Sequence, residues 1–152
     1  VVLIAVILPT NLYLWAWRFF DLSRHNYPFY LHKDEVAAMA WIEANAKSDD
    51  VVLSSLDVGQ YIPAYTGAHA FLAHWAQTLD FYGKTDMVNQ FFAGETDDMR
   101  RKQTLMLYNV GYVFYGPAEQ ALGNFAPDDA GYLSPVFSNS TVVVYAVKFA
   151  TP

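Results

Sequence analysis

The chain opens on a run whose apolar positions follow neither a helical stripe nor a strand alternation. Residues 1–17 read VVLIAVILPTNLYLWAW, and the first charge is Arg18. A helix rises ~1.5 Å per residue, so this run spans about 26 Å, close to the ~30 Å of a bilayer core. Tyr13, Trp15, Trp17, Phe19 and Phe20 crowd its far end, the pattern of amphipathic rings at a membrane interface. Pro9 and Asn11 are costly at mid-core, although membrane helices tolerate Pro better than soluble ones. A signal peptide would begin with Lys or Arg and end in small residues, and neither is present. Residues 1–20 are therefore expected to be the C-terminal part of a transmembrane helix. The chain starts on Val1 inside an apolar run, which leads to the expectation of a piece of a larger membrane protein.

Beyond the run the pattern changes. Residues 21–32, DLSRHNYPFYLH, mix charges, rings and Pro28 and read as a juxtamembrane connector. A soluble domain is expected over 33–150. Lys33 to Ala46 is Ala-rich, with Asp34 and Glu35 where the helix dipole favours acid. Val51–Ser55 is a short β-branched run and predicts a buried strand. A short helix is expected from Asp57, as cap, to Tyr65, limited by Pro63. Ala70–Ala73 predicts a second strand. Thr78 is expected to cap a helix through Phe92, with Phe81, Val88, Phe91 and Phe92 inward, before Gly94 stops it. Asp97-Asp98 opens a helix through Tyr108, and Gly111 leads into a third strand over Tyr112–Tyr115. Gly116-Pro117 turns into a short helix over Ala118–Leu122. After a loop over 127–131, Leu133–Phe137 and Thr141–Lys148 predict two strands around a Ser138-Asn139-Ser140 turn. In the last, Val142, Val144 and Ala146 alternate with Val143, Tyr145 and Val147, so both faces are apolar and both should be covered.

Strands alternating with helices imply right-handed crossovers. The expected fold class is α/β: a three-layer αβα, Rossmann-like, mostly parallel sheet with a C-terminal antiparallel hairpin, preceded by the end of a transmembrane helix.

Composition narrows the function. Tyr 11, Phe 11 and Trp 4 supply burial enough to argue against disorder. The net charge is −6 and the densest basic run is Arg100-Arg101-Lys102, which makes nucleic acid a poor partner. Without cysteine there is no disulfide frame, thiolate zinc site or cysteine nucleophile. His69 and His74 are five apart, on opposite faces of a continuing strand, and His25 and His32 lack ligand spacing, so no metal and no cofactor is expected. No G-x-S-x-G, H-E-x-x-H, Walker loop or G-x-G-x-x-G occurs. Asn139-Ser140-Thr141 fits a glycosylation tripeptide, a pattern common by chance.

In an open α/β sheet, ligands sit beyond the C-terminal strand ends. Three loops fall there: 54–60, 74–78 and 115–119. They make Ser55, Asp57, Gln60, His74, Thr78, Tyr115 and Glu119 the candidate ligand-binding residues, with none assigned a catalytic role. Each has a plainer reading as well. Asp57 can simply cap a helix and Glu119 serve the first turn of another.

Gly59-Gln60-Tyr61-Ile62-Pro63-Ala64-Tyr65-Thr66-Gly67 and His74-Trp75-Ala76-Gln77-Thr78 carry a likeness. It continues through Lys84, Phe91-Phe92, Arg100 and Tyr112-Val113-Phe114-Tyr115-Gly116-Pro117-Ala118-Glu119. The chain resembles the C-terminal extracytoplasmic domain of bacterial type C membrane glycosyltransferases, relatives of the polyprenyl-phosphate-dependent mannosyl and aminoarabinose transferases. The resemblance covers about residues 1–150. It implies a parent that moves a sugar from a polyprenyl-phosphate donor, with its catalytic acids between early transmembrane helices, so no catalytic residue carries over. The domain would bind acceptor, cover the active site or assist folding. Its implied partners are the lipid bilayer through residues 1–20, the upstream transmembrane region, and a glycan or lipid-linked sugar. The resemblance places the domain outside the membrane, although Arg18, Arg24 and Lys33 locally favour the cytoplasmic side.

Two other functions compete with this one. One is a membrane-anchored domain that binds a small ligand or partner and has no enzymatic parent. The other is an independent α/β enzyme using His74, Asp57 and Glu119, which needs a base within ~3 Å of a nucleophile.

Overall fold

The structure, a computed structural model, describes residues 2–24, 27 and 29–148, with side chains from Ile7 on. His25, Asn26 and Pro28 of the expected connector, and residues 149 and 150 at the expected domain end, lie outside the described residues. The chain divides into two compact units, Val1–Leu31 and His32–Pro152.

The first unit is built on α1 (Val2–Leu22). Pro9 lies inside it, and the Asn11 side chain reaches back one turn to donate to the Ile7 carbonyl at 2.9 Å. Leu8, Leu12, Tyr13, Leu14, Trp15, Trp17 and Phe19 are each more than half exposed. The helix expected over 1–20 thus forms, but its membrane-spanning character is not supported. Among the described residues no helix is long and apolar enough to cross a membrane. Pro9, Asn11, Arg18 and Asp21 interrupt the apolar length.

The second unit is the expected α/β domain. Its helices are α2 (Lys33–Asn45), α3 (Leu56–Gly59), α4 (Ile62–Thr66), α5 (Phe81–Phe92), α6 (Asp98–Leu107) and α7 (Pro117–Gln120). Its strands are β1 (Val51–Leu53), β2 (His69–Ala70), β3 (Val110–Tyr115), β4 (Leu133–Ser138) and β5 (Val143–Val147), in the order β2-β1-β3-β5-β4. β1 is parallel to β2 and to β3, while β5 is antiparallel to both β3 and β4. Only β5 therefore runs against the other strands, and the sheet is mostly parallel with a closing hairpin.

Alternation along the strands explains the layers. Val113 and Tyr145 are register partners and join one core with Leu53 of β1, Val88, Phe91 and Phe92 of α5, and Leu105 of α6. Phe114 and Val144 are the next partners, both fully buried on the other face. There Trp41 of α2 meets the rings of Tyr112 and Phe137 at 6.1 and 6.0 Å. Ala38, Met39 and Ile42 are the buried stripe of α2, which packs on α4 and β4. The expectation that the last strand is covered on both faces holds for Val144 and Tyr145.

Two irregularities sit where small or special residues allow them. Val51 pairs Val110 and Val52 pairs Tyr112, so Gly111 is an extra residue inside β3 rather than the lead-in to it. Val136 is the extra residue of β4, next to Pro135 on an edge strand, where a missing amide costs least.

Several expected boundaries shift. The expected single helix over 57–65 is two short helices, because Pro63 in the first turn of α4 starts a new helix. The second strand, expected over Ala70–Ala73, is His69–Ala70, one residue earlier and shorter, although the Phe71 amide still donates to the Val52 carbonyl at 2.9 Å. Leu105 is buried, while Met106 and Leu107 are exposed.

Candidate site at the strand ends

The C-terminal ends of β1 and β3 meet at Ser54-Ser55 and Gly116. Glu119, fully buried in α7, joins them. Its Oε1 accepts the Ser55 amide at 2.7 Å and its Oε2 accepts the Gly116 amide at 2.9 Å. The Ser55 hydroxyl also favours the ionised form of this carboxyl. Burial pushes the Glu119 carboxyl above the ordinary carboxylate range, and the bonds from Ser55 and Gly116 oppose that rise. The same Ser55 hydroxyl oxygen accepts the Val58 amide at 3.3 Å, which makes Ser55 the cap of α3. Asp57 was expected in that role. It stands instead inside the first turn and is exposed, because the strand ends two residues earlier than the pattern implied.

Gly116 is held by its surroundings. A Cβ there would lie 3.1 Å from the Phe114 ring, 3.3 Å from Val142 and 3.4 Å from Glu119 Oε2. Gly59 is tighter still, since its Cβ would lie 1.9 Å from the Leu72 carbonyl oxygen. Backbone thus approaches backbone where α3 passes the end of β2.

The other candidates make separate bonds. Thr78 does not cap α5. Its Oγ1 accepts the Ala73 amide at 3.0 Å and closes the 73–78 loop, and Asp80, in the left-handed region at φ 54°, precedes α5 instead. His74 is exposed, and its Nδ1 accepts the Ala76 amide at 3.3 Å. Gln60 is half-buried. Tyr115 turns to the α5 face, where its hydroxyl donates to the Phe125 carbonyl at 2.9 Å and its ring stacks on Phe92 at 6.0 Å. Burial, then the Glu119 and Asp128 carboxylates, raise its hydroxyl pKa. The structure therefore brings Ser55 and Glu119 into contact, and each is engaged in holding the strand ends together.

A hollow of about 360 Å³ lies at the opposite end of the sheet, between α6 and the β4–β5 hairpin, lined by Lys102, Leu105, Met106, Tyr132, Val147 and Lys148. It includes none of the seven candidates. Among the described residues no group of three or more His, Cys, Asp or Glu side chains is placed to hold a metal ion.

Sequence reasoning missed the most heavily bonded cation. Arg101 is buried, its Nε donates to the Phe91 carbonyl at 2.8 Å, and its other nitrogens reach Asp98 at 3.1 Å and the Ala93 carbonyl. Its guanidinium lies 4.0 Å over the Phe125 ring. It thus satisfies carbonyls at the C-terminus of α5, where a cation also opposes the helix dipole. Asp98 accepts the Tyr132 hydroxyl at 3.0 Å, and Asp128 accepts that of Tyr145 at 2.8 Å. No local pattern marks Arg101, which reads as one of three adjacent cations. Asn139 of the glycosylation tripeptide donates to the Asp34 carbonyl at 2.8 Å and accepts the Val142 amide at 2.9 Å, so its side chain tethers the hairpin turn to α2.

With this geometry in view, comparison of folds is informative. The chain has the fold of the C-terminal globular domain of an oligosaccharyltransferase from Archaeoglobus fulgidus. The TM-score is 0.57 at 16% sequence identity, and the match covers 78% of this chain and 99% of that domain. No family's sequence pattern matches the chain, and no curated protein matches it. The likeness is to an oligosaccharyltransferase domain, and it does not confirm the bacterial mannosyl and aminoarabinose transferases of the sequence resemblance.

Proposed function

We propose that this chain is a non-catalytic, extracytoplasmic accessory domain of a membrane glycosyltransferase. In this reading the parent transfers a sugar from a polyprenyl-phosphate donor, as in the type C transferases, and the domain covers the active site or binds the acceptor. The observation that carries the reading is the fold likeness. It spans nearly the whole of a globular domain that belongs to an oligosaccharyltransferase. The strand-end geometry agrees with an accessory role, because Glu119, the most deeply buried carboxylate of the candidate crevice, is engaged by two backbone amides. In this reading the lipid bilayer and the parent's transmembrane region are partners, and a glycan or lipid-linked sugar is the ligand.

The test compares this chain with the full product of its gene, which the reading expects to be longer. Both are incubated with a radiolabelled polyprenyl-phosphate sugar and an acceptor mixture. The reading expects transfer by the longer product alone, and loss of most of that turnover, with donor binding retained, when residues 33–148 are deleted. Transfer by this chain alone, or full turnover without the domain, contradicts it.

A further inference from the structure

The hollow of about 360 Å³ between α6 and the β4–β5 hairpin is lined from two sides. Lys102, Leu105 and Met106 come from one face of α6, since residues three and four apart on a helix share a side. Tyr132, Val147 and Lys148 come from the base of the hairpin.

Contacts join these side chains into one lining. The Lys102 ammonium lies over the Tyr132 ring at 5.0 Å. The Lys148 amide donates to the Tyr132 carbonyl at 2.8 Å, which ties the second lysine to the same residue. Leu105, Tyr132 and Val147 pack in one core. Leu105 is 1% exposed and Met106 is 68% exposed, so the apolar part of the lining runs from the core out to solvent. A methionine thioether is flexible and adapts its shape to an apolar guest.

Charge selects the occupant. Lys102 and Lys148 are both exposed, and no Asp or Glu lines the hollow. Neither ammonium forms an ion pair with a described carboxylate. Asp98 accepts the Tyr132 hydroxyl at 3.0 Å, but Arg101 donates to the same oxygen at 3.1 Å and balances its charge. On a chain of net charge −6, the hollow thus reverses the local sign and attracts an anion. A lysine is a point charge without a planar fork, so it accepts a carboxylate or a phosphate head alike. Size narrows the guest further. Ligand pockets usually hold about 300–1,000 Å³, and this hollow is at the small end, with room for one short alkyl chain rather than a two-chain lipid.

We propose that the hollow binds a single-chain amphiphilic anion, its alkyl chain against Leu105, Met106 and Val147 and its anionic head at Lys102 and Lys148. The inference does not rest on the glycosyltransferase reading, and its site shares no residue with the strand-end crevice.

The probes are decanoate and decyl phosphate, below their micelle concentrations, with decanol as the uncharged chain of the same length. The sequence has four methionines, Met39, Met87, Met99 and Met106, so NMR of isotope-labelled methionine methyls in the full chain reads the hollow directly. Met106→Leu assigns its signal. The expected result is a saturable shift of the Met106 methyl with the anions while Met39 and Met87 stay in place, and the tighter of the two anions names the head group. Decanol should bind several-fold more weakly. Lys102→Gln with Lys148→Gln, both at exposed positions, should weaken the anions by about fivefold or more and leave decanol unchanged. A Met106 signal that neither anion moves overturns the proposal. So does decanol binding as tightly as the anions, or unchanged anion affinity in the double variant, which would mark an apolar surface dip only.

Discussion

Arg101 and Glu119 are deeply buried ionisable residues, and each is held by backbone rather than by a matching charge alone. Lys cannot reproduce a planar fork that reaches two carbonyls and Asp98 at once. Arg101→Lys is therefore expected to lower stability by about 3 kcal/mol, read as a lower urea midpoint at unchanged slope. The tyrosines give a pH dependence. Burial, followed by the hydrogen bond to the carboxylate partner, pushes the Tyr132 and Tyr145 hydroxyls well above the ordinary value of 10.0. Above that value the unfolded chain releases these protons while the folded chain retains them, so stability falls as pH rises. Tyr145→Phe should make the alkaline limb shallower by up to one proton per molecule, measured by urea titrations between about pH 9 and 11. An unchanged slope would mean that Tyr145 titrates alike in both states.

At the scale of elements, the start of α3 separates two readings of neighbouring residues. Ser55 accepts the Val58 amide and Asp57 does not cap, so Ser55→Ala should cost about 1 kcal/mol or more, while Asp57→Ala should stay within about 0.5 kcal/mol. The reverse order would restore Asp57 as the cap. Gly59 tests the close approach of α3 to the end of β2. Its Cβ would overlap the Leu72 carbonyl, so Gly59→Ala should cost about 3 kcal/mol, seen as a fall in thermal midpoint. The pattern of the sequence carried the long elements well. The Ala-rich stretch is α2, the β-branched run is β1, and the doubly apolar run is β5, because periodicity and length there leave few alternatives. It carried the 54–80 region poorly. Ser55, Asp57 and Thr78 are all good caps by type, and which one caps depends on where the preceding strand ends. That is set by pairing with distant residues, as Glu119 pairs with Ser55 sixty-four positions away. Arg101 was illegible for the same reason, since the carbonyls it bonds, those of Phe91 and Ala93, lie at the end of another helix.

For the whole molecule, alternation of strands and helices gave the α/β class and the closing hairpin, and that fold is similar to the C-terminal globular domain of an oligosaccharyltransferase. The candidate site was legible only as a place. The strand ends do converge, but of the seven side chains chosen there Ser55 and Glu119 meet, in a structural bond, while Thr78 and His74 bond within their own loop and Tyr115 packs on Phe92 and bonds Phe125. A shared fold does not transfer chemistry, which belongs to sites. The central claim, that this domain serves a membrane glycosyltransferase, is tested most directly by reading the gene upstream of the codon for Val1 and counting its apolar spans. The account predicts several membrane-spanning segments, with acidic residues in the first loop outside the membrane. A coding sequence that adds no span, or a single one, would contradict it.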